Sequence, residues 1–358
     1  MISARARHPD VNLSGDSAAQ QTVRQPGDTP AMGETMVPAN GVDLCLETFG
    51  EPDAPAVLLI AAGARSMDWW EEGFCRRLAG GGRFVIRYDH RDTGRSTSFP
   101  AGDPPYTQVD MAGDALGVLD ALGIARAHIV GLSLGGGLAQ RLAVEDPPRL
   151  RTVTLISTSP GLVDESPAAA LRTVMPMSTS PGRVDESPAT TPMSTNPGRV
   201  DESPATTPMS ISPGRVDESP AAAAWRRPSR TDYSNRAAAV AELVACVSAV
   251  GGRFTADPEQ LRQLAERVYD RTTDPAAACR NHWLAGCGPP VRDRLGTVDL
   301  PTLIMHGTAD PLFSMAHPAA LAREIPAARL VPLPGVGHEF PPRAVWDVVV
   351  AEILRHTA

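Results

Sequence analysis

Short apolar segments alternate with helical ones along most of this chain, and this alternation restricts the possible folds most. Six segments have the length and composition of buried β-strands: Val57–Ile60, Phe84–Tyr88, His128–Val130, Val153–Ile156, Thr302–Met305 and Arg329–Pro332. Four further segments have helical character: Met111–Leu122, Leu138–Val144, Pro318–Ile325 and Val345–His356. The pattern predicts an α/β fold, with a mostly parallel sheet and helices on both faces. Ligands bind such sheets at the carboxyl ends of the strands, so functional residues are expected in the loops that follow them.

A purely helical stretch interrupts this alternation before the Thr302–Met305 strand. Its helical segments are Ala237–Val250, Pro258–Tyr269 and Pro275–Leu284. We expect residues 225–293 to form a helical lid inserted between two strands. The sheet and its covering helices are then expected in two stretches of the chain, residues 36–160 and 294–358.

A tandem repeat with a 16-residue period precedes the predicted lid. Met177–Pro192 reads MSTSPGRVDESPATTP, Met193–Pro208 repeats it with one change, and a shortened copy runs over Met209–Pro220. Each unit offers one valine and one methionine for burial, and its prolines disfavour a helix or a central strand. We therefore expect residues 161–224 to be a Pro-rich tandem-repeat insertion that forms an expanded loop. The alternative is an interaction module that binds a partner.

The N-terminal 35 residues are rich in Ser, Gln, Asp, Gly and Pro and show no hydrophobic period. We expect residues 1–35 to be a disordered extension. A chain that started at Met32 or Met36 would begin close to the folded part, so a later translation start is an alternative. No apolar block of the kind found in a secretory signal occurs there.

The composition of the 358-residue chain excludes several classes of protein. Its 33 Lys+Arg against 41 Asp+Glu give a net charge of −8, which argues against nucleic acid as a partner. The five cysteines form no CxxC pair, so neither a disulfide framework nor a metal site is predicted. No run of 18 uncharged apolar residues occurs, so no membrane span is expected. We expect a cytoplasmic protein, and the sequence predicts no particular oligomeric state.

The loop after the His128–Val130 strand carries the pattern G-x-S-x-G, as Gly131-Leu132-Ser133-Leu134-Gly135. In a strand–turn–helix context this turn is so sharp that residues two before and two after the serine must be small. The serine hydroxyl then stands at a helix N-terminus, where the dipole favours developing negative charge. We therefore predict that Ser133 is a nucleophile. The alternative is a helix-capping serine in a glycine-rich turn.

A serine nucleophile needs a base, and the base needs an acid to orient it. Asp310 follows the Thr302–Met305 strand, and His338 follows the last predicted strand. The chain order Ser133, Asp310, His338 is that of a nucleophile–acid–base triad on a parallel sheet. His306 is the nearest rival base, but it belongs to the same loop as the acid.

An acyl-transfer site also needs N–H donors for the oxyanion of the tetrahedral intermediate. We predict the amide of Leu134, which follows the nucleophile, and the amide of Gly63, in the loop after Val57–Ile60, with Ala64 as the alternative to Gly63. Trp69 and Trp70 follow this loop. They are predicted either to line an apolar pocket or to belong to the core.

Four strings together resemble the α/β-hydrolase superfamily: RYDHRDTGRST (Arg87–Thr97), AHIVGLSLG (Ala127–Gly135), PTLIMHGTADPL (Pro301–Leu312) and IPAARLVPLPGVGH (Ile325–His338). Within it, the chain resembles the actinobacterial group that contains the aclacinomycin methylesterases. The resemblance implies an α/β-hydrolase fold with Ser133, Asp310 and His338 as nucleophile, acid and base. Ala62 stands where many of these proteins have a histidine before the oxyanion glycine.

These observations predict a serine hydrolase that cleaves a carboxylic ester of a hydrophobic small molecule, by the resemblance a methyl ester, through an acyl-enzyme. Such chemistry needs no cofactor and no metal. The same triad also serves thioesterases, C–C hydrolases and cofactor-free haloperoxidases, and fold alone does not choose among them. A non-catalytic ligand-binding protein on this fold is the alternative from another class.

Overall fold

The computed structural model describes residues 33–161 and 231–358 of the chain. The predicted N-terminal extension up to residue 32 lies outside the described residues. Residues 162–224 of the predicted repeat insertion and the first six residues of the predicted lid, 225–230, also lie outside them.

An eight-stranded sheet forms the centre of the molecule. Its strands are β1 Glu34–Ala39, β2 Val42–Phe49, β3 Ala56–Ile60, β4 Phe84–Tyr88, β5 Ala127–Leu132, β6 Leu150–Ile156, β7 Thr302–Gly307 and β8 Ala328–Leu333. Their order across the sheet is β1-β2-β4-β3-β5-β6-β7-β8. Strand β2 pairs antiparallel with β1 and β4, and all other pairs are parallel.

Helices cover both faces of this sheet. They are α1 Glu72–Gly80, α2 Gln108–Ala121, α3 Leu134–Glu145, α4 Arg236–Val250, α5 Pro258–Arg271, α6 Pro275–Leu284, α7 Ala316–Glu324 and α8 Trp346–His356. One apolar core lies between the sheet and α2, α3 and α7, and a second lies between the opposite face and α1 and α8. Burial on both faces explains why every residue of the central strands β3, β4, β5 and β7 is buried.

Three helices, α4, α5 and α6, follow β6 in the chain and precede β7, where the sequence predicts a lid; the described part of this segment, residues 231–293, is called the lid below. Asp257 and Asp274 begin α5 and α6, and each carboxylate accepts two backbone N–H groups of the first turn. Each is followed by a proline at the first helical position, where the missing N–H costs nothing. Local sequence therefore defines where these two helices start.

The predicted α/β architecture is confirmed, and each of the six predicted strands lies within an observed one. Strands β1 and β2 were not predicted. They form an antiparallel hairpin whose turn residues, Asn40 and Gly41, have φ angles of 48° and 80°. Asn-Gly is the strongest short hairpin signal in a sequence, so this hairpin was detectable. No helix within residues 33–161 and 231–358 is long and apolar enough to cross a membrane.

Candidate active site

The turn between β5 and α3 holds Ser133 in a strained backbone conformation, with φ 54° and ψ −115°. Two glycines make this turn possible. A Cβ on Gly131 would lie 2.2 Å from the Gly135 carbonyl oxygen, and one on Gly135 would lie 2.4 Å from the Ile60 oxygen. Strain of this kind persists only where the surrounding structure enforces it and is common at functional sites. The predicted strand–turn–helix context of Ser133 is therefore present.

Three side chains from separate loops meet at the carboxyl edge of the sheet. His338 Nε2 lies 2.9 Å from Ser133 Oγ, and His338 Nδ1 lies 2.8 Å from Asp310 Oδ2. All three residues are buried. The structure thus brings together the serine, histidine and aspartate that the sequence singled out, in hydrogen-bonded order. The arrangement can transfer a proton from the hydroxyl to the imidazole while the carboxylate orients the ring.

The carboxylate of Asp310 is held as an anion by its surroundings. Its Oδ1 accepts the backbone N–H groups of Leu312 and Phe313, at 2.8 and 2.9 Å. Burial favours the neutral acid, but the facing imidazoles of His338 and His306 and these hydrogen bonds outweigh it. The pKa of Asp310 therefore lies below its ordinary value. An ionised carboxylate is the form that stabilises an imidazolium.

His306, the rival base, also reaches Asp310 but does not contact the serine. Its Nε2 donates to the Phe313 carbonyl at 2.8 Å and lies 3.4 Å from Asp310 Oδ2. Burial lowers its pKa, which favours the neutral ring. His306 therefore lies beside the same carboxylate oxygen of Asp310 as His338.

Two backbone amides near Ser133 have no hydrogen-bond acceptor among the described residues. They belong to Leu134, the first residue of α3, and to Gly63, in the loop after β3. The first N–H groups of a helix have no partner inside it and are free to bind an anion. The amide of Ala64, the alternative to Gly63, instead donates to His282 Nδ1 at 2.9 Å. Of the two alternatives for the second donor, Gly63 is thus the one whose amide lacks an acceptor among the described residues.

The β3–α1 loop that carries Gly63 is held in place by buried polar side chains. His90 Nε2 donates to the Ala61 carbonyl at 3.0 Å. The Asp89 carboxylate accepts the Met67 amide at 2.8 Å. Both side chains come from the turn after β4. The turn itself closes on Gly94, whose φ of 52° and lack of a Cβ permit close approach to Asp89.

Two fully buried histidines make the fold sensitive to acid. Burial lowers the pKa of His90 to about 3 and that of His282 to about 4, with the neighbouring His282 adding to the effect on His90. Both rings stay neutral in the folded protein, while the unfolded chain protonates them below about pH 6.5. The stability that these two histidines contribute is thus full above about pH 6.5 and is lost as the pH drops toward 4, by up to about 1.4 kcal/mol per pH unit for each histidine.

Urea unfolding at pH 7, 6 and 5 measures this effect, and a His282→Gln variant isolates one of the two contributions. On acidification, the free energy of unfolding of the variant should fall less than that of the unchanged protein. We expect the difference to approach about 1.4 kcal/mol per pH unit, the effect of one titrating histidine. Equal losses in the two proteins would contradict a neutral, buried His282.

A cavity of about 480 Å³ opens above Ser133 and His338. Its apolar lining comes largely from lid helices and nearby loops, and includes Trp69, Val247, Phe254, Leu264, Trp283 and Phe340. Polar groups also line it, among them Arg65, Gln260, Arg267 and Arg343. Trp69 is therefore a pocket residue, whereas Trp70 packs in the core between Phe74 and Phe340. Both alternatives apply to Trp69, because it also packs in a buried apolar cluster with Val240 and Leu261 of the lid helices, whereas Trp70 belongs to the core alone.

A buried ion cluster fastens the lid to the sheet. Arg271, the last residue of α5, contacts the carboxylates of Glu34, Asp68 and Asp89, the last two at 2.7 Å. Its side chain is 8% exposed. Breaking one partner of such a buried cluster is costly because it leaves an uncompensated charge. Sequence reasoning missed this cluster, since its members lie up to 237 residues apart and belong to no motif.

The loop that carries His338 is fastened to the lid as well. The Glu339 carboxylate accepts the Gly252 amide at 2.9 Å and the Thr255 hydroxyl at 2.8 Å. The His338 amide donates to the Val250 carbonyl at 2.7 Å. The connection between α4 and α5 thus holds the loop that carries His338. Glu339 follows the histidine directly in the sequence, but no local pattern indicated its role.

In the part of the chain that the structure describes, no group of three or more His, Cys, Asp or Glu side chains is arranged to hold a metal ion. The five cysteines are free thiols, and three of them, Cys45, Cys75 and Cys287, are buried. Burial raises the pKa of Cys45 and Cys75 to about 12, which keeps both as unreactive thiols.

Comparison with known proteins gives consistent matches. The family described as alpha/beta hydrolase fold matches residues 55–199. Rhodomycin D methylesterase DauP of Streptomyces sp. (strain C5) is 32% identical over 328 residues, which are 91% of this chain and 98% of that protein. Rhodomycin D methylesterase DnrP of Streptomyces peucetius is 32% identical over 327 residues, with the same shares. The structure of esterase RhEst1 from Rhodococcus sp. ECU1013 matches with a TM-score of 0.62 and 18% identity, covering 91% and 98% of the two chains.

Proposed function

The chain belongs to the α/β-hydrolase family and is an ester hydrolase, and we propose that it cleaves a methyl ester of a hydrophobic small molecule through Ser133, Asp310 and His338. One observation carries the proposal. His338 Nε2 lies 2.9 Å from Ser133 Oγ at the base of a 480 Å³ cavity, beside two amides that have no acceptor among the described residues.

The first half of the reaction forms an acyl-enzyme. Ser133 Oγ attacks the ester carbonyl carbon while His338 Nε2 takes the hydroxyl proton. The negative charge that develops on the carbonyl oxygen is stabilised by the amides of Gly63 and Leu134. Asp310 stabilises the imidazolium. The C–O bond of the ester then breaks, and His338 gives its proton to the leaving alkoxide, which departs as the alcohol.

The second half releases the acid. A water molecule enters where the alcohol was, and His338 removes one of its protons as the oxygen attacks the acyl carbon. The same two amides hold the second oxyanion. Ser133 Oγ then leaves and recovers the proton from His338. The net reaction adds one water to the ester and gives one carboxylic acid and one alcohol.

The cavity supports the choice of substrate class. Two tryptophans and two phenylalanines line it, Trp283 and Phe254 from the lid and Trp69 and Phe340 from loops after β3 and β8, and these rings favour a flat apolar acyl group. The two relatives described above are named as methylesterases of one compound, rhodomycin D. A small alcohol with a large apolar acyl group fits both observations.

A direct test compares methyl 2-naphthoate, methyl acetate and the S-methyl thioester of 2-naphthoic acid as substrates. We expect kcat/KM for methyl 2-naphthoate to exceed that for methyl acetate by about a hundredfold or more, because of the apolar area buried in the cavity. Preference for the thioester would instead favour a thioesterase. A substitution of Trp69 by Ala should lower the ratio of kcat/KM for methyl 2-naphthoate to that for methyl acetate, mainly by raising KM for the naphthoate.

A further inference from the structure

A buried histidine of the lid contacts the loop that carries Gly63. His282, in α6, accepts the Ala64 amide at its Nδ1 at 2.9 Å and donates from Nε2 to the Arg91 carbonyl at 2.8 Å. Its side chain is fully buried. Only one form of the ring, the neutral tautomer with its proton on Nε2, satisfies both contacts. Burial lowers the pKa of His282 to about 4, so this neutral form is the one present near pH 7.

The contact holds an unusual backbone conformation next to the predicted oxyanion donor. Ala64 has a φ of 59°, in a region that costs an alanine free energy. His282 compensates by binding the Ala64 amide. His90 holds the other side of the loop through the Ala61 carbonyl and packs edge-on against His282, with ring centroids 5.4 Å apart. The two imidazoles therefore hold the loop on either side of Gly63.

The next residue of α6, Trp283, packs against the same loop. A Cβ on Gly63 would lie 2.8 Å from the Trp283 ring, so this ring packs directly on the Gly63 backbone. Consecutive lid residues thus act on consecutive loop residues, Trp283 on Gly63 and His282 on Ala64. The amide of Ala64 is taken by the lid, and the amide of Gly63 is left for the substrate.

We propose that His282 is a positioning residue for the oxyanion hole, supplied by the lid, which binds the Ala64 amide and thereby orients the Gly63 amide toward the reacting carbonyl. The inference rests on the proposed serine-esterase function. It assigns to α6 a part in transition-state stabilisation in addition to covering the cavity. A misplacement of one donor by a fraction of an ångström weakens its bond to the transition state more than its contact with bound substrate.

Two variants of His282 separate this role from simple packing. His282→Phe keeps an aromatic ring but has no acceptor for the Ala64 amide. His282→Gln offers an amide oxygen to Ala64 and an NH₂ group to the Arg91 carbonyl. The matched control is His128→Phe, which replaces another buried histidine near the amino end of β5, where its ring makes one hydrogen bond among the described residues, from Nδ1 to the Thr152 hydroxyl. All rates are expressed per active site titrated with a fluorophosphonate, so that misfolded protein is not counted.

We expect His282→Phe to lower kcat for ester hydrolysis by about 10- to 100-fold with KM nearly unchanged, and His282→Gln to recover most of kcat. A trifluoromethyl ketone, whose adduct places an oxyanion in the hole, should bind the Phe variant more weakly by the same factor. If His282→Phe gives no titratable sites, His282→Leu provides a second acceptor-free variant. The His128→Phe control should have the kcat of the unchanged protein, even if the substitution lowers its stability.

Unchanged kcat in an acceptor-free variant, or equal losses in the Phe and Gln variants, would overturn the inference. Failure of the proposed function gives a different result. In that case, the unchanged protein neither reacts with the fluorophosphonate nor depends on Ser133 for ester hydrolysis. If ester hydrolysis depends on Ser133 but kcat does not change in the His282 variants, the positioning role is refuted and the proposed function is not.

Discussion

A Ser133→Ala variant is expected to lose about 10⁴- to 10⁶-fold of kcat/KM for ester hydrolysis while remaining folded. The hydroxyl is the group that would bond to the acyl carbon, and no other hydroxyl among the described residues contacts His338. Alanine removes only one oxygen atom, and it relieves none of the backbone strain at φ 54°. The loss is measured with a p-nitrophenyl ester of medium chain length. The same preparation is checked for folding by circular dichroism.

Ser159→Ala is the matched control for this loss. Ser159 is also buried, and it lies shortly after β6, but its hydroxyl has no hydrogen-bond partner in the described structure. Its removal should leave kcat/KM within about threefold, since no reacting group depends on it. If the Ser133→Ala variant still turns over at more than about 1% of the original rate, another group performs the attack.

The second large effect is expected at His338, and it distinguishes two histidines that share one carboxylate. His338 and His306 lie 2.8 and 3.4 Å from Asp310 Oδ2, but only His338 reaches Ser133. His338→Ala should therefore lower kcat by about 10⁴- to 10⁶-fold, because the hydroxyl loses its base. His306→Gln should cost about tenfold or less, because Gln can still donate to the Phe313 carbonyl that His306 now binds.

The ratio of the two losses is the informative quantity. A gap of at least about a hundredfold assigns the base to His338, and kcat is measured for both variants across about pH 5 to 9. Comparable losses would indicate that the pair of histidines acts as one unit through Asp310. A larger loss for His306→Gln would reverse the assignment.

The parts of this molecule that were predictable from the sequence are those encoded locally. Strands buried on both faces appear as short apolar runs, and the turn around Ser133 requires glycines at 131 and 135 for steric reasons. Asp310 and His338 follow strands β7 and β8, so the geometry of a parallel sheet brings them to the same edge as Ser133. Local patterns thus indicated both the sheet and the three side chains that meet at its edge.

The parts that were not predictable depend on distant contacts. His282 lies 218 residues from Ala64, and its position in an ordinary helical segment gives no sign that it binds the β3–α1 loop. Arg271 likewise meets three carboxylates that no spacing connects. Helix α1 was missed because its glycines at both ends weaken the helical signal. The buried contacts of His282 and Arg271 form only where the lid packs against the rest of the molecule.

The lid therefore contacts several loops that carry or support the proposed reacting groups, which a simple cover over the cavity would not need. It binds the β3–α1 loop through His282, the His338 loop through Glu339, and the turn after β4 through Arg271. These contacts reach the proposed oxyanion donor, the proposed base and the turn that braces the β3–α1 loop. Substitutions in the lid should consequently alter kcat as well as substrate choice.

The most direct test of the account is to identify the residue that reacts with a fluorophosphonate. Trypsin releases Ser133 in the peptide Ala127–Arg141, AHIVGLSLGGGLAQR, which contains one serine and no threonine, tyrosine, lysine or cysteine. The account predicts that this peptide carries the phosphonyl group, that the label blocks ester hydrolysis in proportion to its amount, and that the His338→Ala protein labels far more slowly. Full inhibition with the label on another peptide, or ester hydrolysis that survives complete labelling of Ser133, would contradict it.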